Sequence, residues 1–382
     1  MVNKTRKSIR TNRSAITSPP AGKPAGDFQW LGKNKILSYT IKNTLEKELE
    51  NFLIHIDKTY ALRKISPLLF ESIGDFVRRS GKRLRPTLFV IGYLSFAEKT
   101  APFLYRGALA LELLHDFMLV HDDIIDKSGL RRGKPSMHVM LNRHLSPYPD
   151  VKFNGQDLAI VIGDVMYAIG LKSFLSIKED PLHKEAALKK IMDAAIYTGN
   201  GEFIELLSAL KPLDRLTKEE IYRIYDFKTA YYTFAAPLAA GAALAGIKEK
   251  TVEKLFKYGI LLGRAFQIKD DILGMFGNEA EIGKSTLTDL QEAKKTVLIW
   301  YAYTHCAPRD KKTITEIFLK QNITLADLAR MRGIVTSSGA LDHAKTEISS
   351  LIRKARGLIE PLPIKPAYKN LILGYSKDIL VL

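Results

Sequence analysis

From about Lys35 onward, hydrophobic residues recur at three- and four-residue spacing, and alternating runs of β-branched residues are scarce. A period near 3.6 is typical of α-helices with one face on a core, whereas half-buried strands need a period of two. The pattern therefore predicts an all-α protein. Its most regular stretches predict helices over Ile41 to Leu62, Tyr105 to Asp126, Leu158 to Ile177, Glu185 to Leu210, Lys218 to Thr229, Val252 to Met275 and Leu341 to Ile359.

Glycine and proline interrupt this pattern, and breaks between helices are expected at these points. They fall at Pro67, Gly81 with Pro86, Pro102, 129–135, 147–149, Pro181, Pro212, 277–283 and 361–366. No interior stretch is long and polar enough for an interdomain linker, and no repeat of fixed period is found. We expect one large helical domain over residues 36–382, preceded by an arm of residues 1–35.

Residues 229–247 form an uncharged run that is long enough to span a bilayer. The run is rich in alanine and glycine, contains Thr229, Thr233 and Pro237, and lacks the leucine and phenylalanine density of a spanning helix. It is therefore interpreted as a buried helix.

The formal charge of +17 is unevenly distributed, because residues 1–35 hold eight lysines and arginines against one acid, Asp27. The rest of the chain is still basic, which suits an anionic substrate. Arginines do not alternate with aromatic residues, so nucleic acid is not expected as a partner. Cys306 is the only cysteine, which excludes an intrachain disulfide and a cysteine-based zinc site.

The basic arm lacks the apolar core of a secretory signal, and its Pro19, Pro20 and Pro24 are unlike a transit peptide. We interpret it as disordered and without a target, and expect a cytoplasmic protein, with an organelle presequence as the minor alternative. Transient contact with an anionic membrane surface is a further alternative, since each basic residue near such a surface contributes about 1 kcal/mol.

Candidate chemistry begins at residues 121–126, which read HDDIID. Asp122 and Asp126 are four residues apart on a predicted helix, so their side chains share one face, with Asp123 beside them. Carboxylates this close repel each other unless cations lie between them, and hard oxygen ligands suit Mg²⁺. A solvated helix end is the alternative, but the apolar residues around the acids favour a metal site. His115 lies on the same stripe two turns earlier, and is either a substrate contact or a hydrogen-bonded core histidine.

Further charged clusters come in a defined order along the chain. Basic loops with the sequences GKRLRP at 81–86 and GLRRGK at 129–134 offer arginines, whose fixed fork of donors matches phosphate oxygens. A second acidic pair, Asp270 and Asp271, follows Gln267 in FQIKDD, and lysines follow in GK at 283–284 and EAKKT at 292–296. Lysine and Mg²⁺ together stabilise a diphosphate leaving group. Either basic loop alone is consistent with a solvated surface; their combination with two acidic clusters indicates a diphosphate site.

These motifs, with KTA at 228–230, occur in the order found in the trans-isoprenyl diphosphate synthases, the polyprenyl synthetase family, and the chain resembles that family from about Leu37 to near its C-terminus. The resemblance implies antiparallel helices around a deep cavity, a homodimer, and no organic cofactor. It also implies roles for individual residues. Asp122, Asp123, Asp126, Asp270 and Asp271 match ligands of three Mg²⁺ ions; Arg131, Lys228, Lys284 and Lys294 match contacts to the allylic diphosphate; Lys82, Arg85, His115 and Arg132 match the isopentenyl diphosphate site; Thr229 and Gln267 match positions near the developing carbocation.

The implied reaction is ionisation of an allylic prenyl diphosphate, attack of the isopentenyl double bond on the cation, and loss of a proton. Two positions depart from the family pattern. The second motif has Gly274 where many members have a third aspartate, and Glu202 stands where glutamine is more frequent.

Product length is predicted from the residues before the first motif. Phe117, five residues before Asp122, lies about 7.5 Å along the helix axis and matches a position that stops chain growth in this family; a plain core phenylalanine is the alternative. With Met118 next to it and no insertion in the motif, the chain resembles archaeal geranylgeranyl diphosphate synthases. A twenty-carbon product is expected, with farnesyl diphosphate second and longer chains third.

Two other classes of protein share some of these features. A terpene cyclase would use a second metal motif of the N-D-x-x-S-x-x-x-E type and needs no isopentenyl site, whereas this chain has FQIKDD and GKRLRP. A non-catalytic subunit of a heteromeric synthase commonly lacks the aspartates, and Gly274 is the one feature here that points to it.

Overall fold

The computed structural model describes residues 34–148, 150–277 and 286–380, and it confirms the all-α prediction. The one exception in these ranges is a two-residue antiparallel hairpin, β1 (Leu130–Arg131) with β2 (Lys134–Pro135). The helices are α1 Asn34–Tyr60, α2 Leu62–Ile65, α3 Pro67–Arg78, α4 Leu84–Leu94, α5 Leu104–Ile125, α6 Met137–Leu145, α7 Gly155–Leu175, α8 Pro181–Ser208, α9 Lys218–Ile224, α10 Ala236–Leu244, α11 Glu249–Phe276, α12 Thr288–Gln291, α13 Val297–His305, α14 Pro308–Phe318, α15 Leu325–Ser337, α16 Ala340–Ile359 and α17 Pro366–Leu380, with a 3₁₀ turn at Leu213–Arg215.

Two long helices, α5 and α11, form the middle of the bundle. α5 packs along α7, and α11 packs against α16 on one side and against the segment before α10 on the other. The largest fully buried side chain, Tyr258 of α11, donates its hydroxyl hydrogen to the carbonyl of Ile372, 2.7 Å away, and so ties α17 to the core. The predicted acidic motifs thus end up on two central helices whose positions are fixed by packing.

The uncharged run of residues 229–247 is buried, as predicted, and its small residues allow two helices to pack closely. All of α10 is buried, and it crosses α4 at backbone contact distance. A Cβ atom at Gly92 would lie 2.4 Å from the Leu238 carbonyl oxygen, and one at Gly241 would lie 2.1 Å from the Phe89 carbonyl oxygen. Any larger residue at either glycine would force these helices apart.

A π-helix over Tyr225–Ala235 continues from α9 and leads into α10. The helix predicted over Lys218 to Thr229 is therefore α-helical only to Ile224. In a π-helix the backbone hydrogen bonds join residues five apart along the chain, which widens each turn. Such segments are often found at functional sites. This segment holds Lys228 and Thr229 of the KTA motif against α8 and α11.

Among the described helices, only α7 is long and apolar enough to cross a membrane by length and composition. One of its faces is buried against α5. The opposite face exposes Ile160, Val161 and Leu175, whose accessible fractions are 43%, 55% and 54%.

Candidate active site

The first acidic motif lies where α5 ends. The backbone N–H of Asp126 donates to the Asp122 carbonyl, 2.8 Å away, and closes the last turn. Asp123 is completely buried, and its Oδ1 accepts a hydrogen bond from the Arg131 Nε at 2.8 Å. Asp122 and Asp126 share one face of the turn, so they remain available to cations while Asp123 anchors an arginine.

The hairpin after α5 sends two adjacent arginines in different directions. Arg132 has a left-handed backbone, with φ of 54°, and Gly133 follows with φ of 74°. Arg131 reaches back to Asp123, whereas an Arg132 Nη lies 3.2 Å from a carboxylate oxygen of Asp116, on the preceding part of α5. The turn therefore supplies one guanidinium to the acidic motif and one to a pocket deeper along α5.

That pocket, which we call the arginine pocket, is formed by Arg85, His115, Asp116, Arg132 and Tyr232. The Arg85 Nη2 donates to the Thr233 hydroxyl at 2.7 Å, and its guanidinium lies 4.5 Å from the centre of the Tyr232 ring. The Nε of Arg85 and an Nη of Arg132 are buried without a hydrogen-bond partner. Burial, together with the neighbouring arginines, lowers the pKa of His115 well below its usual value. Two unpartnered guanidinium donors beside a neutral imidazole suit an anion.

The GKRLRP motif divides into residues with different surroundings. Arg83 is 4% exposed and is fixed by Glu112 at 2.6 Å and Glu46 at 2.9 Å, which gives it a structural task. Arg85 belongs to the arginine pocket, and Lys82 is exposed in the loop before α4. A Cβ at Gly81 would lie 3.5 Å from the Arg132 Cζ, so the two basic loops meet here.

The second acidic motif lies in the last turns of α11. Asp270 is exposed and Asp271 is 7% exposed. Gln267 donates from Nε2 to Asp271 at 3.0 Å and accepts from the Thr229 hydroxyl at 2.7 Å. The Tyr225 hydroxyl also donates to Asp271 and accepts from the Val297 N–H at 3.0 Å. This chain of hydrogen bonds fixes both Gln267 and Asp271.

Tyr225 was not predicted from the sequence. It lies in an aromatic-rich run, YDFKTAYYTF, whose spacing does not distinguish a core tyrosine from one that orients a carboxylate. Only the π-helix geometry brings its hydroxyl to α11.

Two of the predicted lysines lie beside the acidic motifs. Lys228 is paired with Glu202 at 2.6 Å and with Glu205. Burial lowers its pKa, but Glu205 and Glu202 outweigh burial, so the pKa is raised. Lys294 has its Nζ 2.8 Å from Glu292 and 3.4 Å from Asp289, and these acids raise its pKa in the same way. Both lysines are thus charged at neutral pH. Lys284 lies outside the described residues.

Each motif contains a buried carboxylate with a raised pKa, and one lysine lies near acids of both regions. Burial, with Glu202 and Asp126, raises the pKa of Asp122 to about 7. Burial, with Asp270 and Asp289, raises the pKa of Asp271 to about 8. Lys294 interacts with Asp126 on α5 as well as with Asp289 below α11, so it lies between the motifs.

Within the described ranges, no three histidine, cysteine or carboxylate side chains converge closely enough to enclose a metal by themselves. The carboxylate pairs of the two motifs are of the kind that holds Mg²⁺, which keeps several waters and is usually bound by one or two carboxylates together with substrate phosphates. Crowded acids with raised pKa values are the surroundings in which cations are favoured.

The two residues before the first motif face different neighbours. The Phe117 ring is 5.4 Å from Tyr167 on α7 and 4.7 Å from His121. Met118 packs instead on a small cluster of Ala194, Tyr232 and Ala236 from α8, the π-helix and α10. α5 therefore presents Phe117 to one side of the bundle and Met118 to another.

Comparisons with known proteins agree with this architecture. Residues 66–335 match the model of the polyprenyl synthetase family. The chain is 32% identical to the geranylgeranyl diphosphate synthase of Saccharolobus solfataricus over 87% of this chain and 93% of that protein. It is 30% identical to the geranylfarnesyl diphosphate synthase of Aeropyrum pernix over 80% of this chain and 91% of that one.

Solved structures agree in fold. A geranylgeranyl pyrophosphate synthase from Corynebacterium glutamicum, complexed with isoprenyl diphosphate and magnesium, superposes with a TM-score of 0.80 at 24% identity, covering 92% of this chain and 99% of that one. The prediction of the isoprenoid synthase fold is therefore confirmed. The family match extends over most of the chain and includes both acidic motifs, and the chain belongs to the polyprenyl synthetase family.

Proposed function

We propose that this protein is a trans-prenyltransferase that condenses isopentenyl diphosphate with an allylic prenyl diphosphate in Mg²⁺-dependent head-to-tail elongation. The observation that supports it most directly is the shared space between the acidic motifs, in which Lys294 interacts with both Asp126 and Asp289. Acids on two facing helices, with lysines between them, are suited to cations and a diphosphate at the same time.

Three Mg²⁺ ions are proposed, held by Asp122 and Asp126 on α5 and by Asp270 and Asp271 on α11, with Asp123 as the anchor of Arg131. When bound, these ions neutralise the charge that develops on a diphosphate as it leaves. Lys228, Lys294 and Arg131 bind the same diphosphate from the protein side. Lys284 is proposed to join them on the basis of its motif alone.

Thr229 and Gln267 form the side of the site that faces the carbocation of the allylic substrate. Because the Gln267 amide donates to Asp271 and its oxygen accepts from Thr229, its orientation is fixed. Oxygen atoms held in place stabilise a positive charge without having to reorganise when it forms. The arginine pocket, with Lys82 at its edge, binds the diphosphate of the isopentenyl substrate, and its unpartnered guanidinium donors are the observation behind this assignment.

The direct test is a product analysis. Purified protein with Mg²⁺ and radiolabelled isopentenyl diphosphate is given dimethylallyl, geranyl or farnesyl diphosphate, and the dephosphorylated products are sized by chromatography. We expect a dominant twenty-carbon alcohol. No incorporation with any primer would favour the non-catalytic subunit.

Geranylgeranyl diphosphate is proposed as the main product because Phe117 precedes the first motif by five residues on α5 and its ring packs against Tyr167. The relatives named above make twenty- and twenty-five-carbon products, so a longer chain is the nearest alternative, with farnesyl diphosphate after it. Phe117→Ala is expected to add at least one five-carbon unit, whereas Phe117→Tyr keeps the length. Met118→Ala tests the other side of α5, and equal lengthening by both alanine variants would contradict a floor made by Phe117 alone.

A homodimer is proposed from the apolar outer face of α7. Ile160, Val161 and Leu175 are exposed on one side of this helix, with the exposed Asp164 and Lys172 between them. Exposed apolar residues with polar neighbours are typical of protein interfaces. Val161→Arg is expected to turn a dimer into a monomer in sedimentation velocity. Leu319→Arg, at a leucine on a different surface that is 79% exposed, is the control and should change nothing.

Cytoplasmic location and the membrane alternative for residues 1–35 stay predictions, since the arm lies outside the described residues. Deletion of the arm followed by co-sedimentation with anionic liposomes tests the alternative. Unchanged sedimentation of the truncated chain would remove it.

A further inference from the structure

The arginine pocket contains most of the buried polar side-chain atoms that have no hydrogen bond. In the described part of the chain there are nine such atoms, and five of them belong to this pocket. Three can donate: the Nε of Arg85, an Nη of Arg132 and the Tyr232 hydroxyl. The other two are the carboxylate oxygens of Asp116. Because buried polar groups are nearly always paired, this concentration indicates a bound ligand.

Asp116 is the one member of the pocket that a bound diphosphate alone does not explain. Its side chain is completely buried, and its Oδ1 lies 3.2 Å from an Nη of Arg132, in an ion pair that lacks hydrogen-bond geometry. A diphosphate brings acceptors, which suit the three donors, but an ionised carboxylate also only accepts. Asp116 and the diphosphate would therefore repel each other and compete for Arg132.

The charged and titratable groups that face Asp116 come from several elements. Glu112 lies on its own helix, Arg132 on the hairpin, and Tyr232 on the π-helix, while two arginines come from the start of α4. Together with Glu46 of α1, which pairs with one of these arginines, the carboxylates and guanidinium groups balance each other. The six groups are Glu46, Glu112 and Asp116 with Arg83, Arg85 and Arg132.

A diphosphate would add negative charge to this balanced set, and protonation of one acid would relieve the excess. Arg83 donates hydrogen bonds to Glu46 at 2.9 Å and to Glu112 at 2.6 Å, and these bonds favour the ionised form of both acids. Asp116 accepts no hydrogen bond. Of the three acids, Asp116 is therefore the one that takes the proton.

His115 is the competing proton acceptor of the pocket. Burial, together with the neighbouring arginines, lowers its pKa well below the usual value. Burial and Glu112 raise the pKa of Asp116 to about 7. A bound anion raises both pKa values, but Asp116 starts closer to protonation at pH 8.

We propose that Asp116 is a further contact to the diphosphate of isopentenyl diphosphate, and that it takes up one proton from the solvent when this substrate binds. The proton is bonded to a carboxylate oxygen, so the side chain becomes a donor to a phosphate oxygen and releases the Arg132 guanidinium for the substrate. This inference rests on the proposed role of the arginine pocket.

The test is calorimetry on the full-length protein at pH 8, without divalent ions or allylic substrate. Isopentenyl diphosphate is titrated in two buffers that differ in their enthalpy of protonation, and the difference in heat gives the number of protons taken up. A terminal phosphate with a last pKa of about 6 carries no proton at this pH, so the uptake belongs to the protein. The variants are Asp116→Asn, His115→Gln and, as the control, Asp193→Asn at an exposed position of α8.

We expect the wild type to take up about one proton for each substrate bound, and its affinity to fall about tenfold per pH unit above pH 8. His115→Gln and Asp193→Asn should keep the uptake, whereas Asp116→Asn should lose it and bind with an affinity that does not vary with pH.

Binding to the wild type without proton uptake overturns the inference, and so does an uptake that survives in Asp116→Asn and disappears in His115→Gln. The pH dependence of the wild-type affinity gives a second test that needs no variant, since a constant affinity between pH 8 and 9 also overturns it. If the wild type binds no isopentenyl diphosphate, the proposed role of the arginine pocket fails first, and this inference fails with it.

Discussion

Each acidic motif contains one aspartate that is held in place by hydrogen bonds, but the donors differ in charge. On α5, Asp123 is fixed by the charged guanidinium of Arg131, 2.8 Å away. On α11, Asp271 is fixed by neutral donors, the Tyr225 hydroxyl and the Gln267 amide. A neutral partner does not cancel the cost of burying a carboxylate, and the pKa of Asp271 accordingly rises to about 8. Asp271 therefore depends more on incoming cations for its charge than Asp123 does, whose pKa burial raises less because Arg131 opposes it.

The largest effect is expected from substitutions in the first motif that distinguish a proposed metal ligand, Asp122, from the anchor of Arg131, Asp123. Asp122→Ala removes a proposed metal ligand and should lower kcat about 10²–10³-fold. Asp123→Asn keeps the shape of the anchor and should cost about 10–100-fold, as is usual for a residue that orients others. Steady-state kinetics with saturating Mg²⁺ measure both, and Asp193→Ala on the exposed side of α8 is the control. Equal losses would contradict the division into ligand and anchor.

Next in size is the exchange of the two hairpin arginines. Arg131→Lys should raise the KM of the allylic substrate, and Arg132→Lys should raise the KM of isopentenyl diphosphate. Each rise should be about tenfold to a hundredfold, because a charge-assisted hydrogen bond contributes about 1.5–3 kcal/mol and lysine lacks the fork of donors. Each variant serves as the control for the other. If both variants affect the same substrate, the two guanidinium groups share one site.

The neutral anchor of the second motif can be tested by stability. Tyr225→Phe leaves a buried Asp271 and the Val297 N–H without this hydroxyl, and should lower the free energy of unfolding by about 1–3 kcal/mol. Tyr222→Phe is the matched control, since its acceptor Glu347 keeps an ion pair with Lys218 at 2.8 Å. Its cost should be about 0.5–1.5 kcal/mol. Chemical denaturation measures both, and a larger loss for Tyr222→Phe would reverse the assignment.

Asp116, an acid of α5 outside both motifs, should give an effect that depends on pH. Burial and Glu112 raise the pKa of Asp116 to about 7, against an unfolded value of 3.8. Between these values the folded protein binds more protons than the unfolded chain, so stability falls as the pH rises. Relative to Asp116→Asn, the wild type should lose at most about 1.4 kcal/mol per pH unit between pH 4 and 7, and nothing further above pH 7. Unfolding curves over this range measure it, with Asp193→Asn as the control, and a difference that does not vary with pH would contradict the raised pKa.

The long helices were predictable because each has one apolar face. α5 and α11 begin and end within a few residues of the predicted Tyr105 to Asp126 and Val252 to Met275. Shorter helices were missed where this contrast is absent: α4 is buried over most of its surface and shows no polar face. Pro86 was interpreted as a break but lies in the first turn of α4, where its missing N–H costs nothing.

The site was predictable to the extent that its residues form local motifs. Both acidic pairs and the lysines of the second half were identified by type and spacing. The different directions of the Arg131 and Arg132 side chains could not be predicted from the sequence, because they depend on one positive φ value at Arg132. The positions of Tyr225 and Asp289 near the second motif could not be predicted either. Tyr225 reaches it from a π-helix, and Asp289 reaches it from a four-residue helix.

The two arginines of the hairpin are joined by a single peptide bond, and this has a consequence for how the substrates influence each other. If Arg131 contacts one diphosphate and Arg132 the other, binding of the first substrate restricts the backbone on which the second contact depends. The conformational entropy of this turn would then be lost when the first substrate binds, and the second substrate would not have to order it again. The affinities of the two substrates therefore become thermodynamically coupled. By reciprocity, each substrate would improve the binding of the other by the same factor.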